Sequence, residues 1–421
     1  MKVCHISFSD LLGGANLTAY RLHRALQETD VDSSMLVRLR KSTDPRVVEF
    51  DTGSRRPERI YRAWRRQQIG ATARKLKLNP EHPAPSLTDP RTEWGPSIRR
   101  QLPPTGLLHL HWINRFVDWP GFFRPMGRSG RPLFWTLHDM TPLTGGCAYD
   151  YGCGRFVEGC GQCPQLAKPE SRDASSRFFA IKHKAIDVLS AEQMVLLPPN
   201  RWMENQIARS PVLSRFRREV IPYGVDIPNE TILGSAAHAD HLQLIAAAVD
   251  TLDRRKNLSL LLDALAALPD TLRARVRLTL IGQGDAPVSP PCPVTTTGYI
   301  EGSEALAAHY AAADLYVHPA LEDNQPNTVL EAMAAGTPAL VCDTGGVAEM
   351  IPTGHNWPMI VPRNDKESMT RALAWWIENR QQAAAAGQHC RSHVEKHFSR
   401  SLQIERHVKL YQEWRDVKGD K

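Results

Sequence analysis

The stretch LYVHPALEDNQPNTVLEAMAAGTPALVC, from Leu315 to Cys342, contains a strand pattern, a helix pattern and a second strand pattern. Its two ends are short apolar runs, which are typical of buried strands. Between them, capping residues and a Gly-Thr-Pro stop indicate a helix from near Asn327 to Gly336. Two strands joined by one helix predict a parallel pair, because a crossover connection returns the chain in the same direction.

The same alternation continues along the chain. Strand-like runs occur at Lys2–Ser7, Ser34–Val37, Leu107–Trp112, Leu133–Leu137, Met194–Leu197, Leu242–Ala248, Val276–Ile281, Leu315–Val317 and Ala339–Cys342. A linker-like segment at 220–240 is followed by what resembles a fresh first strand. We therefore predict an α/β fold with two doubly wound, Rossmann-like domains facing across a cleft, where ligands bind at the carboxyl ends of the strands.

Length and composition exclude several classes of protein. A chain of 421 residues has room for about two or three domains. Its content of 42% hydrophobic and 23% charged residues is typical of a soluble globular protein. No apolar run reaches the roughly 18 residues of a membrane span. The start, MKVCHISFSD, is a strand pattern rather than a signal peptide, so we expect a cytoplasmic protein.

A basic segment, residues 51–80, has a net positive charge as large as that of the whole chain. It has nine basic side chains and two acidic ones, and its local net charge of +7 matches the formal net charge of the chain. Because Ile60, Trp64 and Ile69 lie in the same segment, contact with an anionic membrane or with nucleic acid is one interpretation. The other interpretation is a solvated helical face.

Four of the eight cysteines cluster in a Cys-rich loop, residues 145–165. Their spacing is C-x5-C-x6-C-x2-C, in which only the last pair has the common zinc-knuckle separation. Without a secretion signal, this clustering favours metal ligands or packed thiols over disulfides. We expect a structural zinc ion or reduced thiols, and no catalytic zinc because four protein ligands leave no open position. The four residues are Cys147, Cys153, Cys160 and Cys163.

Glycines and histidines follow predicted strands in the first half of the chain. Gly13 and Gly14 allow close approach of the backbone to a ligand, and the helix after them directs N–H groups at an anion. A tight turn is the alternative. His138 ends a later strand, where we expect the adjacent Asp139 to orient its imidazole. His109 and His111 are predicted to point to opposite faces of their strand and to have structural roles.

Cations follow the first strand of the second half. Arg254, Arg255 and Lys256 lie where a helix is expected to open, and fixed cations there neutralise a diphosphate. A cationic helix start on the surface is the alternative, although positive charge is unfavourable at a helix N-terminus. The sequence IGQGD lacks the third glycine of a dinucleotide fingerprint, which argues against a Rossmann dehydrogenase. In TGYIEG, the backbone near Ile300 contacts a nucleobase or forms a plain turn.

Acidic residues stand on both sides of the helix start near Asn327. The N–H groups of a helix N-terminus attract an anion. Acids beside them repel a bare phosphate but bind hydroxyl groups. The pattern therefore indicates a ligand that carries both phosphate and sugar.

Together these motifs resemble glycosyltransferase family 4, the retaining nucleotide-sugar enzymes of the GT-B fold. The resemblance covers nearly the whole chain, from Gly-Gly-Ala in the first loop through His-Asp at 138–139 and Arg-Lys at 255–256. Its most specific part is PALEDNQPNTVLEAMAAGTPALVCDTGGVAEMI. The segment LHDMTPLTGGCAYDYGCGRFVEGCGQCPQL resembles a branch active in exopolysaccharide and colanic-acid-type assembly.

The family has two glutamates separated by seven residues before its Ala-Met-Ala helix. Here the second is Glu331, and the first position holds Asp323 with Glu322 beside it. The resemblance implies that Glu331 binds the nucleotide ribose and that Asp323 or Glu322 holds hydroxyl groups of the donor sugar. In a second departure, Thr251 stands where the family has an arginine.

The remaining donor contacts are implied by the same resemblance. N–H groups near Asn327 and Thr328 hold the diphosphate. Arg255 and Lys256 stabilise it as a leaving group, and Arg255 supplies the charge of the missing arginine. His138 steadies the reacting sugar.

The resemblance implies a retaining hexosyltransferase that uses a UDP- or GDP-linked sugar and a glycan or lipid-linked glycan acceptor in polysaccharide biosynthesis. Catalysis is expected to need no cofactor, and no nucleic acid partner is expected. Residues 51–80 are expected to contact the anionic inner face of the membrane. The alternatives are a GT-B nucleotide-sugar epimerase, a non-catalytic sugar-nucleotide-binding protein and a nucleic-acid-binding protein.

The predicted domain organisation has three parts. Residues 1–222 form an acceptor-side Rossmann-like domain with a basic insertion at 51–100. Residues 223–397 form the nucleotide-sugar-binding Rossmann-like domain. Residues 398–421, which have helical spacing from Phe398 to Trp414, are predicted to form a helix that packs back on the N-terminal domain.

Overall fold

The computed structural model describes residues 1–53, 56–104, 106–229, 241–284 and 289–418. Parts of four predicted features lie outside these residues: the linker at 230–240, Arg55 in the basic segment, Asp285 after the Gly-x-Gly and residues 419–421 of the predicted last helix. The chain divides into two compact units. The first consists of Met1–Ile221 with Ile404–Lys421, and the second of Pro222–Gln403.

The first unit contains a seven-stranded parallel sheet. Its strands are β1 (Lys2–Ser9), β2 (Asp32–Leu39), β3 (Val47–Glu49), β4 (Leu107–Leu110), β5 (Leu133–Thr136), β6 (Met194–Leu197) and β7 (Arg217–Arg218). Its helices are α1 (Gly14–Leu26), α2 (Arg56–Lys75), α3 (Trp119–Ser129), α4 (Ala174–Ile186) and α5 (Arg201–Arg209). The strand order is β3-β2-β1-β4-β5-β6-β7, so β1 and β4 lie side by side where the winding reverses.

The second unit contains a six-stranded parallel sheet. Its strands are β8 (Leu242–Asp250), β9 (Val276–Gln283), β10 (Val294–Gly298), β11 (Leu315–His318), β12 (Ala339–Asp343) and β13 (Ile360–Pro362). Its helices are α6 (Leu258–Ala266), α7 (Asp270–Arg273), α8 (Ser303–Ala311), α9 (Asn327–Ala334), α10 (Lys366–Glu378) and α11 (Ala383–His397). The order is β10-β9-β8-β11-β12-β13, with β8 beside β11 at the reversal.

The last helix, α12 (Arg400–Lys418), belongs to the first unit from Ile404 onward. Leu410, Tyr411 and Trp414 are buried in one cluster with Val3 and Phe134. Burying a large apolar side chain contributes about 1.5–3 kcal/mol. The end of the chain therefore completes a core that begins at its first strand.

All nine strands predicted from apolar runs are present. Every residue of β4, β5 and β6 is buried, because a parallel sheet is covered on both faces and its inner strands are apolar throughout. The predicted α/β fold with two doubly wound parallel sheets is confirmed. None of the helices that the structure describes combines the length and apolar character needed to cross a membrane.

Candidate functional site

Two cationic side chains and a histidine surround one carboxylate in the second unit. Lys256 Nζ lies 2.7 Å and Arg255 Nη1 lies 3.2 Å from the Oδ2 atom of Asp323. His318 Nε2 is 3.3 Å from the same oxygen. The two cations follow β8, whereas His318 ends β11 and Asp323 lies in the loop after it. Because β8 and β11 are neighbours, their carboxyl ends bring these groups together.

Burial and charge shift the pKa values of this group. Burial raises the pKa of the Asp323 carboxyl, but Lys256, Arg255 and His318 outweigh it and hold that pKa well below its ordinary value. Burial lowers the pKa of the Lys256 amine, and attraction to Asp323 opposes this shift only in part. Burial also lowers the pKa of His318. Near neutral pH the group thus contains a carboxylate, two cations and a neutral imidazole.

Close backbone packing holds the loop that carries Asp323. Gly345 has a φ of 54°, and a Cβ at this position would overlap the backbone carbonyl of Asp323. Arg255 Nη1 donates to the backbone carbonyl of Glu322 at 3.0 Å, and Leu321 N donates to the carbonyl of Arg255 at 2.8 Å. These hydrogen bonds connect the loop after β11, which carries Glu322 and Asp323, to the loop after β8, which carries Arg255.

Glu322 has partners different from those of its neighbour Asp323. Its carboxylate pairs with Arg363 and accepts a hydrogen bond from Thr344 Oγ1 at 3.3 Å. Both acids are buried, with 4% of Glu322 and 7% of Asp323 exposed. Sequence patterns did not indicate Arg363, which has no sequence signal, or His318, whose signal was its place directly after a predicted strand.

Helix α9 begins at Asn327, as predicted, with Pro326 before it. Thr328 accepts a hydrogen bond from the Tyr316 hydroxyl at 2.8 Å. The side chains of Asn327, Thr328 and Glu331 are partly exposed, whereas most of the helix is buried. The open side of α9 therefore combines N–H groups, a hydroxyl and a carboxylate, a set that suits a phosphate beside hydroxyl groups.

Three other predicted donor contacts lie at strand ends. Gly13 lies between β1 and α1, and Gly14 is the first residue of α1; a Cβ built on either would meet no atom of the described residues within 4 Å. These two glycines therefore border open space, which leaves room for a ligand. Ile300 follows β10, and its side chain packs against the core of the second unit, so only its backbone is left for a ligand.

His138 follows β5 and is 8% exposed. Its Nε2 atom lies 3.2 Å from Nδ1 of His111. Asp139, which we expected to orient this ring, accepts hydrogen bonds from the Trp112 indole at 2.9 Å and from Thr141 N at 2.8 Å. Asp139 therefore closes the turn after β5, and one partner of the His138 ring is another imidazole.

The expectation that His109 and His111 point to opposite faces is wrong. Residues two apart in a strand lie on the same face, and the two ring centroids are 4.2 Å apart. Both residues are buried. The predicted structural role agrees with the contacts of His109, whose Nε2 lies 2.8 Å from Thr136 Oγ1 and whose Nδ1 lies 2.5 Å from the Tyr411 hydroxyl.

The basic helix α2 uses several of its arginines inside the first unit. Arg65 pairs with the buried Asp118 at 3.0 Å, and Arg66 pairs with Glu93 at 3.0 Å. Arg62 is only 9% exposed and donates to backbone carbonyls. Several arginines of the basic segment are therefore buried or paired with acidic residues. The outer surface of α2 is less basic than the sequence suggested.

A different set of α2 side chains faces outward. Ile60 is 67% and Trp64 is 50% exposed. Arg59, Arg74 and Lys75 are also exposed. This outer face of α2 combines apolar and cationic groups, as a membrane-surface helix does.

The four clustered cysteines line one cavity of about 20 Å³ in the first unit. Gly145 N donates to Cys160 Sγ at 3.1 Å. The cavity has the size of one water molecule or ion. Within the described part of the chain, however, the set whose three ligand atoms all lie within 4.8 Å of one another is His5, His109 and His111. The cysteine sulfurs would therefore have to draw together around an ion.

Comparison with known proteins shows what the second unit is similar to. Residues 243–379 match the family model for glycosyl transferases group 1. We call this matched part of the second unit the group 1 domain. The predicted resemblance to GT-B glycosyltransferases is thus confirmed, and the group 1 domain holds Arg255, Lys256, Asp323 and Glu331.

Solved structures support the same fold over the whole chain. HepE from Anabaena, solved in complex with UDP and glucose, matches 98% of this chain and 100% of its own with a TM-score of 0.64 at 14% identity. Sucrose-phosphate synthase from Thermosynechococcus elongatus matches 99% of each chain with a TM-score of 0.63 at 16% identity. At these identities the matches show the fold, which is GT-B.

Curated relatives extend the similarity to sequence. WcaC of Escherichia coli, described as a colanic acid biosynthesis glycosyl transferase, is 24% identical over 257 residues, which are 58% of this chain and 60% of WcaC. A GDP-mannose-dependent alpha-mannosyltransferase of Mycolicibacterium smegmatis is 33% identical over 174 residues, 38% of this chain and 42% of the relative. The alignments thus span 60% or less of these relatives.

Proposed function

We propose that the protein transfers a hexose from a nucleotide diphosphate sugar to a hydroxyl of a glycan or lipid-linked glycan, with retention at the anomeric carbon. The observation that carries this proposal is the convergence of Lys256 and Arg255 on Asp323 inside the group 1 domain, four residues before α9 begins. By their names, one relative uses GDP-mannose and one neighbouring structure holds UDP. The proposal therefore includes both nucleotides.

The group 1 domain would act mainly on the leaving group. When the bond between the anomeric carbon and the diphosphate breaks, its electron pair goes to the diphosphate oxygen. Lys256, Arg255 and the N–H groups at the start of α9 would stabilise that charge, and they do so strongly because the site is largely removed from water. Asp323 holds both cations before the donor arrives, so that little rearrangement is needed.

The acceptor would react on the face that the diphosphate leaves. Its hydroxyl oxygen forms the new bond to the anomeric carbon, and its proton passes to an oxygen of the departing diphosphate. This front-face route retains configuration and needs no side-chain base. Charge neutralisation is assigned to side chains and a helix N-terminus.

The other contacts follow the family pattern. Glu331 would bind the ribose hydroxyls, and the backbone near Ile300 the nucleobase. Asp323 or Glu322 would hold sugar hydroxyls, and His138 would steady the reacting sugar. The open strand-to-helix turn at residues 13–14 would allow close approach of the donor.

The acceptor class is proposed from the branch resemblance and from α2. If the acceptor is lipid-linked, the outer face of α2 would hold the protein at the anionic inner face of the membrane. Each cation near that surface contributes about 1 kcal/mol.

A panel of UDP- and GDP-hexoses, incubated with the pure protein with and without acceptor extracts, tests the proposal. We expect nucleotide release that depends on both one donor and an acceptor, and a product with the donor's anomeric configuration. A sugar isomer formed without acceptor would instead show an epimerase. Tight donor binding without turnover would show a non-catalytic protein.

A further inference from the structure

Three buried histidines of the first unit form a chain of ring contacts that ends at His138. His5 Nδ1 lies 2.9 Å from His111 Nε2, and His111 Nδ1 lies 3.2 Å from His138 Nε2. The exposed fractions of the three residues are 0%, 3% and 8%. The sheet creates this chain because β1 carries His5 and pairs with β4, which His111 directly follows.

All three rings are neutral near pH 7. Burial holds the pKa values of His5 and His111 well below the ordinary value and lowers that of His138 to about 3. A neutral imidazole has one protonated nitrogen that donates and one bare nitrogen that accepts. Each contact therefore needs a proton on one of its two nitrogens and none on the other.

This requirement couples the three tautomers. Either all three rings carry their proton on Nδ1, or all three carry it on Nε2. In any mixed arrangement one contact would face two protons or none. The position of the proton on His5 therefore determines its position on His138.

The surroundings of His5 determine which of the two arrangements is more stable. Its Nε2 atom is buried and has no hydrogen-bond partner among the residues that the structure describes. A proton there would be an unpaired buried N–H, which folded proteins almost never contain, whereas an unpaired acceptor is tolerated more often. The arrangement with protons on Nδ1 is thus the more stable one.

We infer that His5 and His111 are positioning residues that lock His138 in the Nδ1–H tautomer. The Nδ1 atom of His138 is then a hydrogen-bond donor, and Nε2 accepts from His111. Under the proposed function, on which this clause rests, an oxygen of the donor sugar would be its acceptor. A ligand group that itself donates a hydrogen bond would not bind at this nitrogen.

The same contacts argue against a metal ion at His5, His109 and His111. Both nitrogens of His109 are already bonded, to the Thr136 and Tyr411 hydroxyls. His5 and His111 face each other with one nitrogen each at 2.9 Å. The cluster of ligand atoms is therefore explained by hydrogen bonds.

Nitrogen-15 NMR of the full-length protein labelled at histidine tests the inference without any substrate. His138→Gln identifies the His138 signals by their loss. At neutral pH we expect a protonated Nδ1 and a bare Nε2 at His138. A protonated Nε2, or a doubly protonated ring, would overturn the inference, whatever the enzyme assay shows.

Two substitutions of His5 test whether this residue determines the tautomer of His138. His5→Leu removes the donor and should give His138 a mixture of tautomers, whereas His5→Asn keeps an amide that can donate to His111 and should preserve Nδ1–H. Thermal unfolding confirms that each variant is folded. A folded His5→Leu protein with an unchanged His138 would contradict the inference, and if that variant does not fold, the wild-type and His5→Asn spectra decide.

Turnover connects this inference to the proposed function. His5→Leu should lower kcat several-fold with KM for the acceptor little changed, and His5→Asn should restore it. If no donor is turned over at all, the proposed function fails while the tautomer remains measurable. The two failures are therefore distinguishable.

Discussion

Lys256 and Asp323 form a largely buried ion pair, with Nζ 2.7 Å from Oδ2 and 16% and 10% of the side chains exposed. Lys256→Ala should lower kcat/KM for the donor by roughly a hundredfold or more, because it removes a charge-assisted contact to the leaving group. Glu331→Gln should have an effect of similar size on the ribose contact. The matched control is Lys366→Ala, an exposed lysine of the same unit. Near-wild-type rates in both test variants would refute this site.

The two neighbouring acids should respond differently to neutralisation. Asp323→Asn leaves the buried Lys256 and Arg255 without their shared carboxylate, which costs about 3–5 kcal/mol when a buried pair is broken. Glu322→Gln removes a pair with Arg363, whose side chain is 42% exposed, so the loss is about 1 kcal/mol or less. Thermal unfolding and donor turnover measure both effects. Equal and mild losses would mean that the motif alignment is wrong.

The cysteine loop is predicted to hold one structural zinc ion. Elemental analysis of the pure protein should find about one zinc per chain, and chelation should lower thermal stability before it weakens donor binding. Cys153→Ser and Cys163→Ser should lose zinc, whereas Cys292→Ser in the second unit should keep it. A fully stable protein without metal would leave packed thiols as the explanation.

Vesicle binding should depend on the outward cations of α2 alone. Replacing Arg59, Arg74 and Lys75 with Gln should weaken sedimentation with anionic vesicles by about 3 kcal/mol, and leave neutral vesicles unaffected. Arg65→Gln is the contrasting variant, because it breaks the pair with Asp118 and should lower thermal stability instead. Equal vesicle binding by the triple variant and the wild type would indicate a solvated face and a soluble acceptor.

The buried imidazole of His138 predicts acid sensitivity. Burial lowers its pKa to about 3 from an ordinary value of 6.5, so below pH 6.5 the unfolded chain binds a proton that the folded protein does not. Stability should therefore fall as the pH falls from 6.5 towards 3, by about 1 kcal/mol per pH unit for this residue. Urea unfolding at several pH values should show a shallower slope for His138→Gln. His183→Gln, at an exposed position, is the control, and identical slopes in all three proteins would contradict the assignment.

Sequence patterns predicted the interior of both sheets and missed their borders. The four strands without a prediction are β3, β7, β10 and β13, and these are the outer strands of the two sheets. Edge strands pair on one side only and are partly exposed here, so they lack the continuous apolar run that marks an inner strand.

The sequence by itself determined which chemical groups stand at strand ends and at the start of α9, because apolar runs and capping residues are local signals. The tertiary structure decided which of those groups meet. Lys256 and Asp323 are 67 residues apart, and His5 and His111 are 106 residues apart. Each pair forms because a strand order brings two distant strands side by side, and a local pattern contains no information about that order.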